Sequence, residues 1–386
     1  MRISLDYLIS FLMLIASGLY LSGITPLSPI YFIFGLAIIF YCFKLLLRFE
    51  IHLNGLSFFN LFICFFSIFI QLIVIPNTRI PNTIGLALPY MFYFICFQCL
   101  NTLTKKEIMN LCAYMVLTHV ILISIDAVIR LANPNVYATN IYSGHTRESG
   151  LAYMFKYNSI MYPDSNFVGV QVCLTYFFTV YLIKENLLVS WAKNLKHILF
   201  ILVILSTSRS AIITTFLYTL IFNKISFPIQ LNKKQILWLS GIVVFLIISS
   251  VFILSLIKND ESFNSKFMIL YLANDFLKSI PISSIFFGIG MGNTFSFIGI
   301  GAHNLLVTLT LETGLFGLIL FMTSMYYSIK KTNGKALYVL FPLFTMGFSF
   351  VSLALPFLFT FLAIIYVVEN NKLNETNSTE LTAEIK

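Results

Sequence analysis

Long apolar runs, nearly free of charge, follow one another along most of the chain. No water-soluble packing absorbs them, whereas a bilayer core about 30 Å thick takes about 20 apolar residues per helix. Of 386 residues, 59% are hydrophobic and only 10% charged, against roughly 25% charged in an ordinary soluble domain. Only helices or closed barrels satisfy the backbone in lipid, and runs of this length are helical. The chain therefore reads as an all-α polytopic membrane protein.

The runs predict spans near 7–23, 29–47, 55–75, 83–100, 108–131, 166–183, 197–208, 210–223, 236–257, 304–325, 336–352 and 354–368, about twelve transmembrane helices. The stretch 197–223 is short for two spans, but the polar break Ser206-Thr-Ser-Arg-Ser210 divides it. Charge favours the division. With twelve spans and both termini inside, the inner segments hold most of the Lys and Arg, while the outer side holds Arg79, Arg130, Arg147, Lys156, Lys258, Lys266 and Lys278. A single crossing over 197–223 would move Lys330, Lys331 and Lys335 outside, against the positive-inside bias. The expected organisation is one integral membrane domain, 1–369, with two long outer loops at about 132–165 and 258–303. A flexible cytoplasmic tail, 370–386, follows.

Several function classes drop out. The formal charge of +9 is spread singly or in pairs between apolar blocks, unlike the clustered basic face of a nucleic-acid binder. All six cysteines lie inside apolar segments and are expected as free thiols. There is no phosphate-binding nucleotide loop, and Gly288-Ile-Gly-Met-Gly292 opens no dinucleotide fold, its glycines suiting sharp turns instead. The asymmetric loops argue against the doubled architecture of many secondary transporters. Chemistry, if any, is expected on the outer face, where the long loops lie.

Four places carry residues suited to an anionic substrate. Arg147 has a planar fork that matches two phosphate oxygens. Asp164 and Asn166 stand at a helix start, where anions are favoured; the competing reading is a helix cap at Ser165 or Asn166. Arg209 lies between two apolar stretches, where a charge is retained for a substrate or a partner; the competing partner is Glu312. His303 stands at the mouth of a helix, where a neutral imidazole could accept a hydroxyl proton; the competing reading is an interfacial polar residue.

In order, Arg147-Glu-Ser-Gly150, Asp164-Ser-Asn166 with Gly169, Ser206-Thr-Ser-Arg209, Gly288-Ile-Gly290, and His303-Asn304 with Glu312-Thr-Gly314-Leu-Phe-Gly317 resemble the O-antigen polymerase and ligase superfamily of bacterial membrane glycosyltransferases. The resemblance spans roughly 147–317. It implies an undecaprenyl-pyrophosphate-linked glycan donor, attacked by a hydroxyl acceptor on the periplasmic face of the inner membrane, with no metal and no cofactor. By the same resemblance Arg147 and Arg209 would hold the diphosphate, and His303 would act as base or orient the acceptor. Asn166, Asp164, Asn304 and Glu312 would line the substrate site. Partners implied are membrane lipid and a chain-length regulator and flippase of the same pathway. Abundant Phe and Tyr favour a polymerase; a ligase transferring the glycan to lipid A-core, or a lipid-linked oligosaccharide flippase, are the alternatives.

Overall fold

The computed structural model describes residues 4–25, 28–48, 51, 54–75, 78–134, 154–156, 158–162, 164–225, 227, 261–300, 303–349 and 355–384. Arg147 and the span expected at 236–257 lie outside the described residues.

Among the described residues the regular structure is helical throughout. The first five helices are α1 (Leu5–Ala16), α2 (Pro29–Arg48), α3 (Gly55–Phe69), α4 (Ile80–Leu100) and α5 (Lys105–Ala132). A π turn, Ile70–Val74, continues α3. Then come α6 (Ser165–Lys184), α7 (Leu195–Leu205) and α8 (Arg209–Lys224). The last six are α9 (Glu261–Ser279), α10 (Ile282–Phe287), α11 (Thr294–Ile298), α12 (Leu305–Lys331), α13 (Leu337–Gly347) and α14 (Pro356–Glu384). Polar caps set several starts: Asn54 with Ser57 opens α3, and Thr104 with Glu107 opens α5 through reciprocal hydrogen bonds.

Among the described residues, six helices are long and apolar enough to cross a membrane, namely α2, α3 with its π turn, α4, α5, α6 and α12. This fits an all-α membrane protein but does not reach the expected twelve spans. The difference has a physical source: α1, α13 and the apolar part of α14 (Pro356–Asn371) are shorter, and α7 and α8 have 11 and 16 residues. A straight crossing takes about 20. Nor is the second outer loop a plain loop, since α9, α10 and α11 occupy much of 258–303. Helix α14 runs on past its apolar part as far as Glu384.

Burial separates centre from periphery. In α4, 89% of the most apolar stretch is buried, against 28% in α2. A helix that is apolar all round belongs in the interior, or against lipid. Thus α4 packs on α3, α14 and α1, while α2 and α3 turn Phe32, Ile39, Phe43, Leu46, Phe58 and Phe65 outward. Exposed apolar surface of this extent matches a lipid-facing boundary. Aromatic stacking joins the layers, as between Phe178 of α6 and Phe361 of α14, whose rings are 4.2 Å apart.

One end of the bundle is closed by charge. Lys335 pairs with Glu185 at 2.9 Å and with Glu369 at 3.0 Å, tying together the end of α6, the middle of α14 and the start of α13. Nearby, the Lys184 ammonium caps the end of α8 through the Phe222 and Ile225 carbonyls. The opposite end carries the breaks and loops described below.

Although α12 runs for 27 residues, it is broken at Gly314, where φ is 69° and ψ −178°. Carbonyls at such a break need new donors when no water is at hand. Here Ile289 N donates to Leu311 O at 2.8 Å, and Gly290 N and Gln71 Nε2 each donate to Glu312 O at 3.2 Å. The other end of the Gln71 amide accepts from Met291 N at 2.9 Å, so the π turn after α3 holds the break from the far side. Glycines allow the approach: a Cβ on Gly288 would lie 2.3 Å from Glu312 O, and one on Gly314 would lie 2.3 Å from Phe286 O. Gly314→Ala is therefore expected to cost at least about 1–3 kcal/mol from backbone strain alone. The measurement is the apparent melting temperature in detergent, with Gly35→Ala, which meets nothing within 4 Å, as the control that should not move.

Candidate functional site

Capping at Thr104 fixes the start of α5, and 28 residues of helix then carry Asp126 and Arg130 to its far end, one turn apart. Both side chains are fully buried, with Arg130 Nε 2.8 Å from Asp126 Oδ2. Burying such a pair is costly unless the remaining donors and acceptors are used, and here they are. Arg130 Nη1 donates to Phe155 O at 3.2 Å and Nη2 to Leu205 O at 3.1 Å. Asp126 Oδ1 accepts from Ser159 Oγ at 2.6 Å, Ile160 N at 2.9 Å and Met161 N at 3.4 Å. The chain at 154–156 and 158–162 is thereby pinned as a ledge, which Ser22 N and Gly23 N tie to the connection between α1 and α2 by donating to Met161 O and Ile160 O.

The ledge leads into α6. Asp164 caps this helix, its Oδ1 accepting from Asn166 N at 2.8 Å. The cap thus sits one residue before Ser165 and two before Asn166, the two positions expected from sequence. Asp164 Oδ2 also faces Lys156 Nζ at 3.4 Å and Asn166 Nδ2 at 3.3 Å. Beside it, Ser165 Oγ lies 3.4 Å from Thr207 Oγ1, in the break between α7 and α8. Gly169 permits that contact, since a Cβ there would stand 2.5 Å from Ser208 Cβ. The division of 197–223 at Ser206–Ser208 is as the polar run suggested, with Thr207 at φ 57°.

Arg209 opens α8 directly after this break and is exposed rather than buried. Glu312, its expected competing partner, is engaged elsewhere: Oε1 accepts from Thr294 Oγ1 at 2.7 Å and from Thr294 N at 3.4 Å. Glu312 therefore belongs with Gln71 and the glycine turns at the α12 break, and not with the arginine. Asn304 caps α12, its side chain accepting from Leu306 N and Val307 N.

His303 immediately precedes that cap. The residue is exposed at the surface, yet enough protein surrounds the ring to disfavour its charged form, and its pKa falls below the ordinary 6.5. The Asp164 carboxylate pulls it up, and Lys156 and Lys266 push it down. These groups gather at one end of the bundle, Lys266 being steadied by a 2.6 Å hydrogen bond to Ser349 Oγ. So Asp164, Asn166, the Arg209 break and His303 share one end, Glu312 stands apart at the α12 break, and Arg147 is outside the described residues.

Sequence reasoning missed Lys156 and Lys266 as part of this end, and treated Arg130 only as an outer-side charge. The spacing of Asp126 and Arg130, four residues apart in an apolar run, was the available sign. A stacked aromatic set lies alongside, with Tyr162 4.8 Å from Tyr20 and 5.8 Å from Phe167. From it a polar chain enters the bundle: Tyr162 OH donates to Gln171 Oε1 at 2.6 Å, and Gln171 Nε2 lies 3.3 Å from His119 Nδ1.

Chemically, this end offers lysine and arginine cations for an anion, and an imidazole that is neutral at neutral pH. No family model and no curated protein matches the chain.

Removing one member of the buried pair strands the other. Asp126→Ala is expected to cost about 3–5 kcal/mol, seen as a lower yield of monodisperse protein and a lower melting temperature. Arg209→Ala, at an exposed helix start, is expected to shift stability by no more than about 0.5 kcal/mol. Equal losses in both variants would make Arg209 a structural residue.

Proposed function

We propose that this protein is a membrane glycosyltransferase of the O-antigen polymerase type, joining undecaprenyl-pyrophosphate-linked oligosaccharide repeat units. The reading is carried by one observation: the Asp164-Ser-Asn166 start of α6, the Ser206–Arg209 break and His303, far apart in sequence, meet at one end of the bundle. In this reading the end faces the periplasm, both termini face the cytoplasm, and the chain crosses the inner membrane about twelve times, counting the shorter helices and the stretch 236–257.

The chemistry follows from the residue types. Arg209, with Arg147, holds the diphosphate and neutralises the charge that grows as it leaves. Neutral His303 takes the proton from the acceptor hydroxyl. The hydroxyl oxygen bonds to the first sugar carbon of the donor while the bond from that carbon to the diphosphate breaks. Asp164, Asn166 and Asn304 shape the helix mouths around the sugars, and Glu312 supports the turn behind them. Membrane lipid, a chain-length regulator and a flippase are the proposed partners.

The test is the lipid-linked and surface glycan of a deletion strain, complemented with variants matched for protein level. Accumulation of single capped units supports a polymerase, unligated long chains a ligase, and units trapped on the cytoplasmic side a flippase. Arg147→Ala and Arg209→Ala are each expected to abolish chain growth, and His303→Ala to reduce it by about 10²–10⁴. Full growth in any of them removes that residue from the site.

The lowered pKa of His303 also sets a pH dependence. A base must be neutral, so kcat/KM is expected to fall on the acid side with a midpoint below pH 6.5. In His303→Gln this acid limb should vanish. An acid limb centred above pH 6.5, or one that survives in His303→Gln, would contradict the role of His303 as base.

A further inference from the structure

The buried pair at the end of α5 does more than close the bundle. Its guanidinium touches two backbone carbonyls from segments far apart in sequence, Phe155 O and Leu205 O. Phe155 directly precedes Lys156, whose ammonium faces Asp164. Leu205 ends α7, four residues before Arg209 opens α8. One planar group therefore spans the base of the Lys156 ledge and the base of the Arg209 hinge. The carboxylate completes the tie, since Asp126 Oδ1 accepts from Ser159, Ile160 and Met161 on the same ledge.

An apolar side chain would fill this space without the desolvation a buried ion pair entails, and fixing the register of neighbouring segments is the best-attested use of such pairs. A lysine would not serve equally, because a flexible point charge lacks the fork that holds three acceptors in one plane. A diphosphate has oxygens on two phosphorus atoms, and gripping both takes cations at a set separation.

We propose that Arg130 and Asp126 are positioning residues that hold Lys156 and Arg209 at the separation needed for both to grip one diphosphate, with Lys156 as a further phosphate-binding cation. This rests on the diphosphate substrate proposed above. Neither buried residue touches the ligand; both act through the backbone of the two segments they join.

The experiment uses the whole chain, purified in detergent, with undecaprenyl pyrophosphate as the binding probe. The neutral double variant Asp126→Asn/Arg130→Gln leaves no lone buried charge and keeps an acceptor for the ledge amides. It is expected to remain monodisperse with a melting temperature close to that of the native protein, while its Kd for the probe rises at least tenfold. Lys156→Ala is expected to raise the Kd by a similar factor with no change in melting. Arg130→Lys is expected to fall between the native protein and the double variant, and it carries the test if the double variant does not fold.

A second readout does not depend on the ligand. Ser165→Cys and Thr207→Cys, introduced together in a background without the six native cysteines, place two thiols where the native hydroxyls are 3.4 Å apart. Disulfide yield under mild oxidation reports the alignment of ledge and hinge, and is expected to fall several-fold when the double variant is added. Native disulfide yield and native Kd in the folded double variant would overturn the proposal, as would loss of affinity with the disulfide yield unchanged. If the native protein does not bind the probe while the disulfide yield still falls, the positioning role stands and the diphosphate reading fails.

Discussion

A backbone carbonyl or amide released from a helix inside hydrocarbon has no water to turn to, and the rest of this structure depends on how that constraint is met. A polar backbone group left without a partner in lipid costs several kcal/mol, so a break is tolerated only where other groups take it over. Two breaks matter here. At the first, between α7 and α8, the Leu205 carbonyl is taken by Arg130, and Ser206 Oγ accepts from Ser208 N at 3.3 Å. At the second, in α12, Gln71 and the backbone at 289–290 answer the carbonyls of Leu311 and Glu312. Each break is thus made by polar residues supplied from a different helix, which also decides where those helices sit.

The same constraint sorts the charged residues by role. The fully buried charges, Asp126 and Arg130, are consumed by structure, their polar atoms used on the ledge and hinge, and at the opposite end Lys335 joins Glu185 and Glu369. Groups that are partly or wholly exposed, Lys156, Asp164, Arg209 and His303, collect where the helices begin and end. Helix starts favour anions, and cations set beside them add to that preference. Exposure and placement together, rather than depth in the membrane, distinguish Arg209 from Arg130.

Where hydropathy alone decides, the sequence could be read closely. The run 29–47 became Pro29–Arg48, 108–131 became Lys105–Ala132, and 166–183 became Ser165–Lys184. The polar run at 206–210 announced a break because four hydroxyl residues and an arginine do not continue a lipid-facing helix. Gly314 announced nothing, since a lone glycine inside an apolar run is compatible with a straight helix, and only Gly288 and Gln71 packed against it make the kink. Likewise 258–303 read as loop because the apolar run in α9, Phe267–Ala273, is too short for a span and sits between polar residues, and α10 and α11 are very short. Of the site, the residue types of Asp164, Arg209 and His303 were visible, but not that Glu312 would stand apart with Thr294. Partners separated by 18 residues and a turn leave no local pattern.

The central claim, glycosyl transfer from a lipid diphosphate at the Arg209 and His303 end, is tested most directly by reconstitution. Purified protein is incubated with undecaprenyl-pyrophosphate-linked oligosaccharide repeat units alone, with a chelator present throughout, and the products are resolved by size. The account predicts a ladder of lipid-linked chains, each longer by one repeat unit, with undecaprenyl pyrophosphate released in equal amount. Single units recovered unchanged, from protein that is folded and binds them, would contradict it.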